Sequence, residues 1–233
     1  MAVHRIRRKC AILTDLDSAI CDTTILSSDD DKAKNYKHKV AASEKSGADR
    51  KKYLDILEMD NKWIKAFYAD HTFEVDFIKA GNASDVQNIV DSVYTKQATR
   101  DDAKNDLAST NVSIYGRRVL TMAKQEGKGW FAILLGGSIS SATKIPEYIL
   151  DALIFSREDY PISLVADIID YRLKIHETIT PDVYDFSDLH KLLDEFRTGK
   201  EVNLSEILSH LEVISSDQIY IFISKLFKEC EYA

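Results

Sequence analysis

The sequence predicts an α/β domain built on a mainly parallel sheet, followed by an all-helical C-terminal extension. Three observations predict it. A short apolar run at 10–13 closes on Asp15-Leu16-Asp17, as a buried parallel strand does when it delivers side chains at its C-terminal edge. A second run, 63–69 (WIKAFYA), alternates, is rich in aromatic residues and leads into another acidic cluster. Beyond Asp159 four stretches, 161–176, 186–197, 204–210 and 216–230, carry apolar residues at helical spacing.

The first strand is expected over 6–14. Residues 18–52 are polar and read as a long loop or insertion, continuing to 62; from 32 to 52 there are 8 Lys/Arg against 2 acids. After the second strand, Ser84 or Asp85 is expected to cap a helix over Val86, Ile89, Val90 and Val93. A short helix follows at 115–125. Gly127-Lys128-Gly129 introduces the apolar segment 130–135, and Pro146 sits in the first turn of a helix whose buried face is Tyr148, Ile149, Ala152, Leu153 and Phe155. The expected division is 1–156 for the α/β domain and 157–233 for the helical extension.

Composition narrows the function classes. With 233 residues, 45% hydrophobic, 30% charged and only 8 Gly and 3 Pro, this is a folded chain and neither a disordered nor a collagen-like one. The apolar run at 130–135 is far short of the roughly 20 residues that cross a bilayer, so no membrane is expected. Three cysteines without metal-type spacing, Cys10, Cys21 and Cys230, suggest reduced thiols in the cytoplasm. The net charge of −7 speaks against a protein that coats nucleic acid, but it is unevenly spread. Residues 1–52 hold 12 Lys/Arg and 8 Asp/Glu, whereas 157–233 hold 8 and 16. Contact with a polyanion therefore belongs to the N-terminal half.

The candidate chemistry lies in three places. Two carboxylates at a strand end, Asp15 and Asp17, can converge on one divalent cation, and hard oxygen ligands near phosphate favour magnesium or manganese. Thr72-x-Glu74-x-Asp76, read as extended, would put alternate residues on one face; Glu74 then adds a carboxylate and Thr72 a hydroxyl, while Asp76 reads equally as a cap of the following turn. Lys128, between two glycines at a helix start, suits a phosphate or a leaving oxygen, although alone it is an ordinary surface lysine. His71 reads as strand-end packing, and Trp63 and Trp130 as core or interface.

The order AILTDLDSA, a strand into HTFEVDF, YGRRVLTMAKQEGKGWFAILL and KIPEYILDALIF, covering about 8–156, resembles the TOPRIM nuclease portion of the OLD (overcoming lysogenization defect) family of ATP-dependent endonucleases, Gabija-type defence nucleases included. The resemblance implies a TOPRIM-like core and a Mg2+- or Mn2+-dependent DNA endonuclease in DNA processing or anti-phage defence. It implies Asp15, Asp17 and Glu74 as metal ligands and Lys128 and Thr72 as further catalytic residues. The family's upstream Glu-Gly segment and second Glu do not occur here, nor does any G-x-x-x-x-G-K-[ST] loop. The sheet is therefore expected to be incomplete at its N-terminal edge, and ATP to enter only through a separate ATPase portion or partner chain. DNA and a second copy of the chain are the other expected partners. Two alternatives stand beside this reading: a non-catalytic remnant or assembly module, and a haloacid-dehalogenase-type phosphohydrolase. For the latter, AILTDLDSAICDT would supply Asp15 as nucleophile and Asp17 as acid/base, but Ser18-Ala19 stands where that family has Gly-Thr.

Overall fold

A computed structural model describes residues 8–59, 61–157, 160–181, 183–198 and 204–231; the start of the expected first strand and the Cys230 side chain lie outside what is described. The chain divides into two compact units, one ending at Ala152 and the other beginning at Leu153.

The first unit opens with β1 (Cys10–Asp15) and β2 (Ile64–Ala69), which pair in parallel with Cys10 opposite Ile64 and Asp15 opposite Ala69. Both strands fall where the apolar runs put them. Among the described residues the sheet has these two strands only; this is compatible with an α/β fold, but most of the unit is helical rather than built on a larger parallel sheet.

The connection between the strands departs from expectation. Residues 31–59 are not loop but α1 (Asp31–Met59), a 29-residue helix about 43 Å long at 1.5 Å per residue. Asp30 caps it, its Oδ1 accepting from the Ala33 amide at 2.7 Å. The helix has no apolar stripe because the side facing the sheet is itself largely polar. Glu44 accepts from the Ala19 amide, Gly47 lies against the Leu16 carbonyl, and Arg50 reaches the Asp15 carbonyl. Further along, Leu54 is buried, Asp55 accepts from the Tyr68 hydroxyl, and Glu58 accepts from the Ala66 amide. The last of these contacts occupies a backbone donor on the free edge of β2, which would otherwise be open to another strand.

The core of this unit lies among short helices: α2 (Phe73–Lys79), α3 (Ala83–Asn88), α4 (Val90–Val93), α5 (Gln97–Leu107), α6 (Val112–Glu126) and α7 (Lys128–Gly136). Val75, Val86, Val90, Leu107, Val119, Met122 and Phe131 form its fully buried centre. The 72–76 cluster is thus helical rather than extended. Glu74, Val75, Asp76, Phe77 and Ile78 are all buried, and a short helix enclosed on most sides has no need of a 3.6-residue apolar period. The residue before α3 is Asn82 rather than Ser84 or Asp85. Its amide donates to the carbonyls of Phe77 and Lys144 and its Oδ1 accepts from the Lys144 amide, while Asp85 accepts from the Thr143 hydroxyl. The division between the units falls inside α8 (Glu147–Ser156).

The second unit is helical as expected: α9 (Ile162–Ile179), α10 (Ser187–Arg197), α11 (Leu204–Leu211), a 3-10 turn (Glu212–Ile214) and α12 (Gln218–Glu231). Ile169, Leu173, Leu189, Leu193, Ile207, Leu211 and Ile223 are its buried centre. One buried carboxylate, Asp217, accepts from Arg172, His176 and the Ile219 amide. Burial would raise it, but these donors hold it below the usual carboxylate range. Every helix of the described residues is too short or too polar to cross a membrane.

Candidate active site

Parallel pairing fixes the place of the first carboxylates. Because Asp15 is opposite Ala69, the chain leaves both strands at the same level, and the two exits are joined by backbone bonds. Leu16 donates to Ala69 at 2.8 Å, Asp17 to His71 at 3.0 Å and Ser18 to Asp70 at 3.0 Å. His71 closes the turn with Nδ1–H donating to the Ser18 carbonyl at 2.9 Å, which fixes its tautomer and leaves it a structural role, as its sequence position suggested. Asp17 has φ 54°, the left-handed region that Asp enters more readily than most residues.

The second strand exit leads directly into α2, and the first turn of that helix carries Asp76 and brings the charge of Glu74 to bear on Asp15. Thr72 precedes the helix and makes no side-chain capping bond. Asp76, expected to cap a following turn, lies inside α2 and folds back so that Oδ2 accepts from the His71 amide at 3.3 Å. Its other oxygen and the Thr72 hydroxyl are buried with no hydrogen-bond partner among the described residues.

Lys128 arrives from a third element. Gly127, at φ 80°, breaks the helical path between α6 and α7, and its left-handed conformation is available to glycine without strain. Lys128 then begins α7 with its ammonium 3.5 Å from Glu74 Oε1; the lysine side chain is 72% exposed and the glutamate 10%. The cation is therefore largely exposed, and the carboxylate it faces largely buried.

Electrostatics tie these groups together. The Asp15 carboxyl is raised above its ordinary range, first by burial and then by the negative charges of Asp17 and Glu74, with Lys128 and Arg50 working in the opposite sense. Asp76 is also raised, chiefly by burial. Tyr148, on α8, lies in the same field: burial and the charges of Asp15, Asp76 and Glu74 push its phenol up to about 12, so it stays protonated and acts as a donor.

Two cations of the chain already sit on this acidic edge. Lys128 faces Glu74, and Arg50 Nη2 donates to the Asp15 carbonyl at 2.7 Å and to Asp17 Oδ2 at 3.1 Å. Among the described residues, no three His, Cys, Asp or Glu side chains form a group that could hold a metal ion. The donors fit a divalent ion in type, being hard carboxylate oxygens, and the charges of Asp17 and Glu74 help to raise the Asp15 carboxyl, but their placement here does not fit one; two further buried oxygens, Thr72 Oγ1 and Asp76 Oδ1, have no hydrogen-bond partner among the described residues.

Sequence reasoning thus named residues that the fold brings to one edge: Asp15, Asp17, Thr72, Glu74 and Lys128. It missed Arg50 and Tyr148. Tyr148 is expected on a buried helix face with Ile149, Ala152, Leu153 and Phe155, but that helix buries Leu150, Ala152 and Ile154 and leaves Tyr148 half-buried and Leu153 exposed. Arg50 carried no signal at all, since it is one of several bases in a polar helix. Compared with known proteins, the chain matches no family model, no curated protein and no solved structure.

Proposed function

We propose that this chain carries a divalent-metal-dependent phosphodiesterase site of the TOPRIM type and acts as the DNA endonuclease domain of an OLD-family protein, working with an ATPase portion or partner. One observation carries the reading. Residues from three separate stretches of the sequence, Asp15 with Asp17, then Glu74, then Lys128, come together near the C-terminal edge of a parallel strand pair, the edge at which open α/β folds build their sites, and they include an exposed cation facing a buried acid.

Asp15, Asp17 and Glu74 would hold Mg2+ or Mn2+. A bound ion of this kind supplies a lowered water pKa and stabilisation of the developing alkoxide. The chain's own residues do the rest. Lys128, exposed at the start of α7, offsets charge on a phosphate oxygen as it develops in the transition state. The Tyr148 phenol, raised first by burial and then by the charges of Asp15, Asp76 and Glu74, is a hydrogen-bond donor for an oxygen of the substrate. The Asp76 and Thr72 oxygens supply acceptors beneath the site, which orient polar hydrogens arriving there. The basic N-terminal segment, of which α1 is the main part, offers counter-charge to a DNA backbone.

The test is nicking of supercoiled DNA by the purified chain in Mn2+ or Mg2+, alone and with an OLD-type ATPase portion supplied. The expected result is metal-dependent nicking that Asp15→Ala and Lys128→Ala abolish. If both conditions leave the DNA intact, the non-catalytic reading gains, for which the absence of a ready three-ligand group among the described residues already argues. Turnover of small phosphate monoesters through a covalent Asp15 adduct would instead favour the haloacid-dehalogenase alternative.

A further inference from the structure

β1 is an edge strand, and its pairing with β2 settles which of its groups face outward. The Cys10 amide donates to the Trp63 carbonyl and the Leu16 amide to that of Ala69, and in a parallel ladder alternate residues of a strand bond its neighbour. The even-numbered residues of β1 therefore bond β2. The N–H and C=O groups of Ala11 and Leu13 point the other way, and they have no hydrogen-bond partner among the described residues. The outer edge of β2, by contrast, is closed at Ala66, whose amide donates to Glu58 of α1.

Natural edge strands are guarded by a charge or proline in mid-strand, by a bulge, or by a covering element. Between Cys10 and Thr14, β1 carries no charge and no proline, and its register with β2 runs without a bulge. Leu13, at the middle of the strand, is 51% exposed. The charges lie at the two ends instead, Lys9 just before the strand and Asp15 at its close. This pattern is complementary to itself. Laid antiparallel on a second copy so that Ile12 faces its own counterpart, the strand puts Ala11 opposite Leu13, small against large, and Lys9 opposite Asp15, cation against anion. Each match occurs twice, once on either side of the two-fold axis. The same pairing shifted by two residues breaks both.

We propose that two copies of this chain associate through β1, antiparallel about Ile12, so that their two-stranded sheets become one continuous sheet. Ala11 and Leu13 of each copy exchange N–H···O=C bonds with Leu13 and Ala11 of the other, and ion pairs between Lys9 and Asp15 flank them. The association uses the backbone of the strand rather than chemistry at its end, and so stands apart from the metal-dependent reading above. A strand pair alone covers less than the roughly 1,200 Å2 at which stable interfaces begin, so the dimer forms in the micromolar range of concentration.

Sedimentation velocity of the full chain from about 2 to about 200 µM, in EDTA, brackets that range; the expected result is a shift from monomer to dimer. Leu13→Lys installs the missing guard, and Leu13→Pro removes an outward N–H that β2 does not use; each should stay monomeric throughout. Lys9→Glu, which sets like charges opposite one another on both sides of the axis, should weaken dimerisation about tenfold. Cross-linking reads the register. The two copies of position 12 form a non-hydrogen-bonded pair with Cα atoms about 4.5 Å apart, within disulfide reach. With Cys10, Cys21 and Cys230 replaced by serine, Ile12→Cys should therefore give a disulfide dimer on mild oxidation, and Leu13→Cys should not. A wild type still monomeric at the top of the range, or a dimer that persists in both Leu13 variants, overturns the proposal. Cross-linking through position 13 in preference to position 12 does so too. Circular dichroism checks that the variants fold; if Leu13→Pro does not, Leu13→Lys, at an exposed side chain, carries the test.

Discussion

An alanine at Gly47 distinguishes a helix that is docked from one that is merely formed. In an exposed helix interior, Gly→Ala stabilises by about 1 kcal/mol, because glycine loses more backbone entropy on folding. At Gly47 the added Cβ would stand 1.8 Å from the Leu16 oxygen, 2.5 Å from its carbon and 3.0 Å from its Cα, all backbone atoms that cannot rotate away. The helix must back off. In doing so it loses the hydrogen bonds from Ala19 to Glu44 and from Arg50 to Asp15 and Asp17. At about 1 kcal/mol each, with the exposed ion pair at the low end, and after the propensity gain, the net cost is about 2 kcal/mol. Urea denaturation followed by circular dichroism measures it, with the two units fitted as separate transitions, since a chain of two compact units need not unfold in one step. A gain of about 1 kcal/mol would mean that α1 stands clear of residues 15–19, and the placing of Arg50 would fall with it.

Other outcomes follow from the same contacts. Asp217→Asn removes the charge that Arg172 and His176 share in the helical unit and should cost that unit about 3 kcal/mol at neutral pH. Because Asp217 is held below its ordinary 3.8, its contribution is present above that pH and is lost as pH falls through the lower folded value; the variant's acid-unfolding curve should be correspondingly flatter. Glu74→Gln should bring the Asp15 carboxyl down toward its ordinary range, read by carboxyl carbon NMR; an unmoved Asp15 would mean the two do not share a field. The sign for stability is opposite to that of Asp217: a raised carboxyl contributes below its ordinary 3.8 and loses that contribution as pH rises through its folded value, so the variant should lose less on that rise. Phe131→Ala, at a side chain only 2% exposed in the first core, should cost about 4 kcal/mol in urea denaturation.

Much of the fold is legible because burial there follows a simple period. Leu189, Leu193 and Phe196 repeat at helical spacing and all face one core, and the two strands announce themselves as apolar or alternating runs closed by acids. Where burial does not follow a period, the sequence misleads. In α1 the docked side consists of Glu44, Gly47, Arg50, Leu54, Asp55 and Glu58, which interact with backbone groups and a tyrosine rather than with an apolar core; a polar, lysine-rich stretch of this kind looks like a loop. In α2 the alternation of Phe73, Val75 and Phe77 with acids imitates a strand, although Glu74 and Asp76 are themselves buried. In α5 only Ala103 and Leu107 are buried, too few to make a pattern. The site divides in the same manner. Asp15 and Asp17 are legible from the strand they end and Lys128 from the glycines around it, whereas Arg50 acquires meaning only through the close approach at Gly47, and Tyr148 only through the carboxylates around its hydroxyl.

The central claim is that the carboxylates at this strand edge bind a divalent metal for phosphodiester hydrolysis. Crystals of the chain soaked in Mn2+ and examined by anomalous scattering address it most directly. The account predicts an anomalous peak among Asp15, Asp17 and Glu74, with Lys128 at the rim. A peak elsewhere, or none at saturating Mn2+, would contradict it.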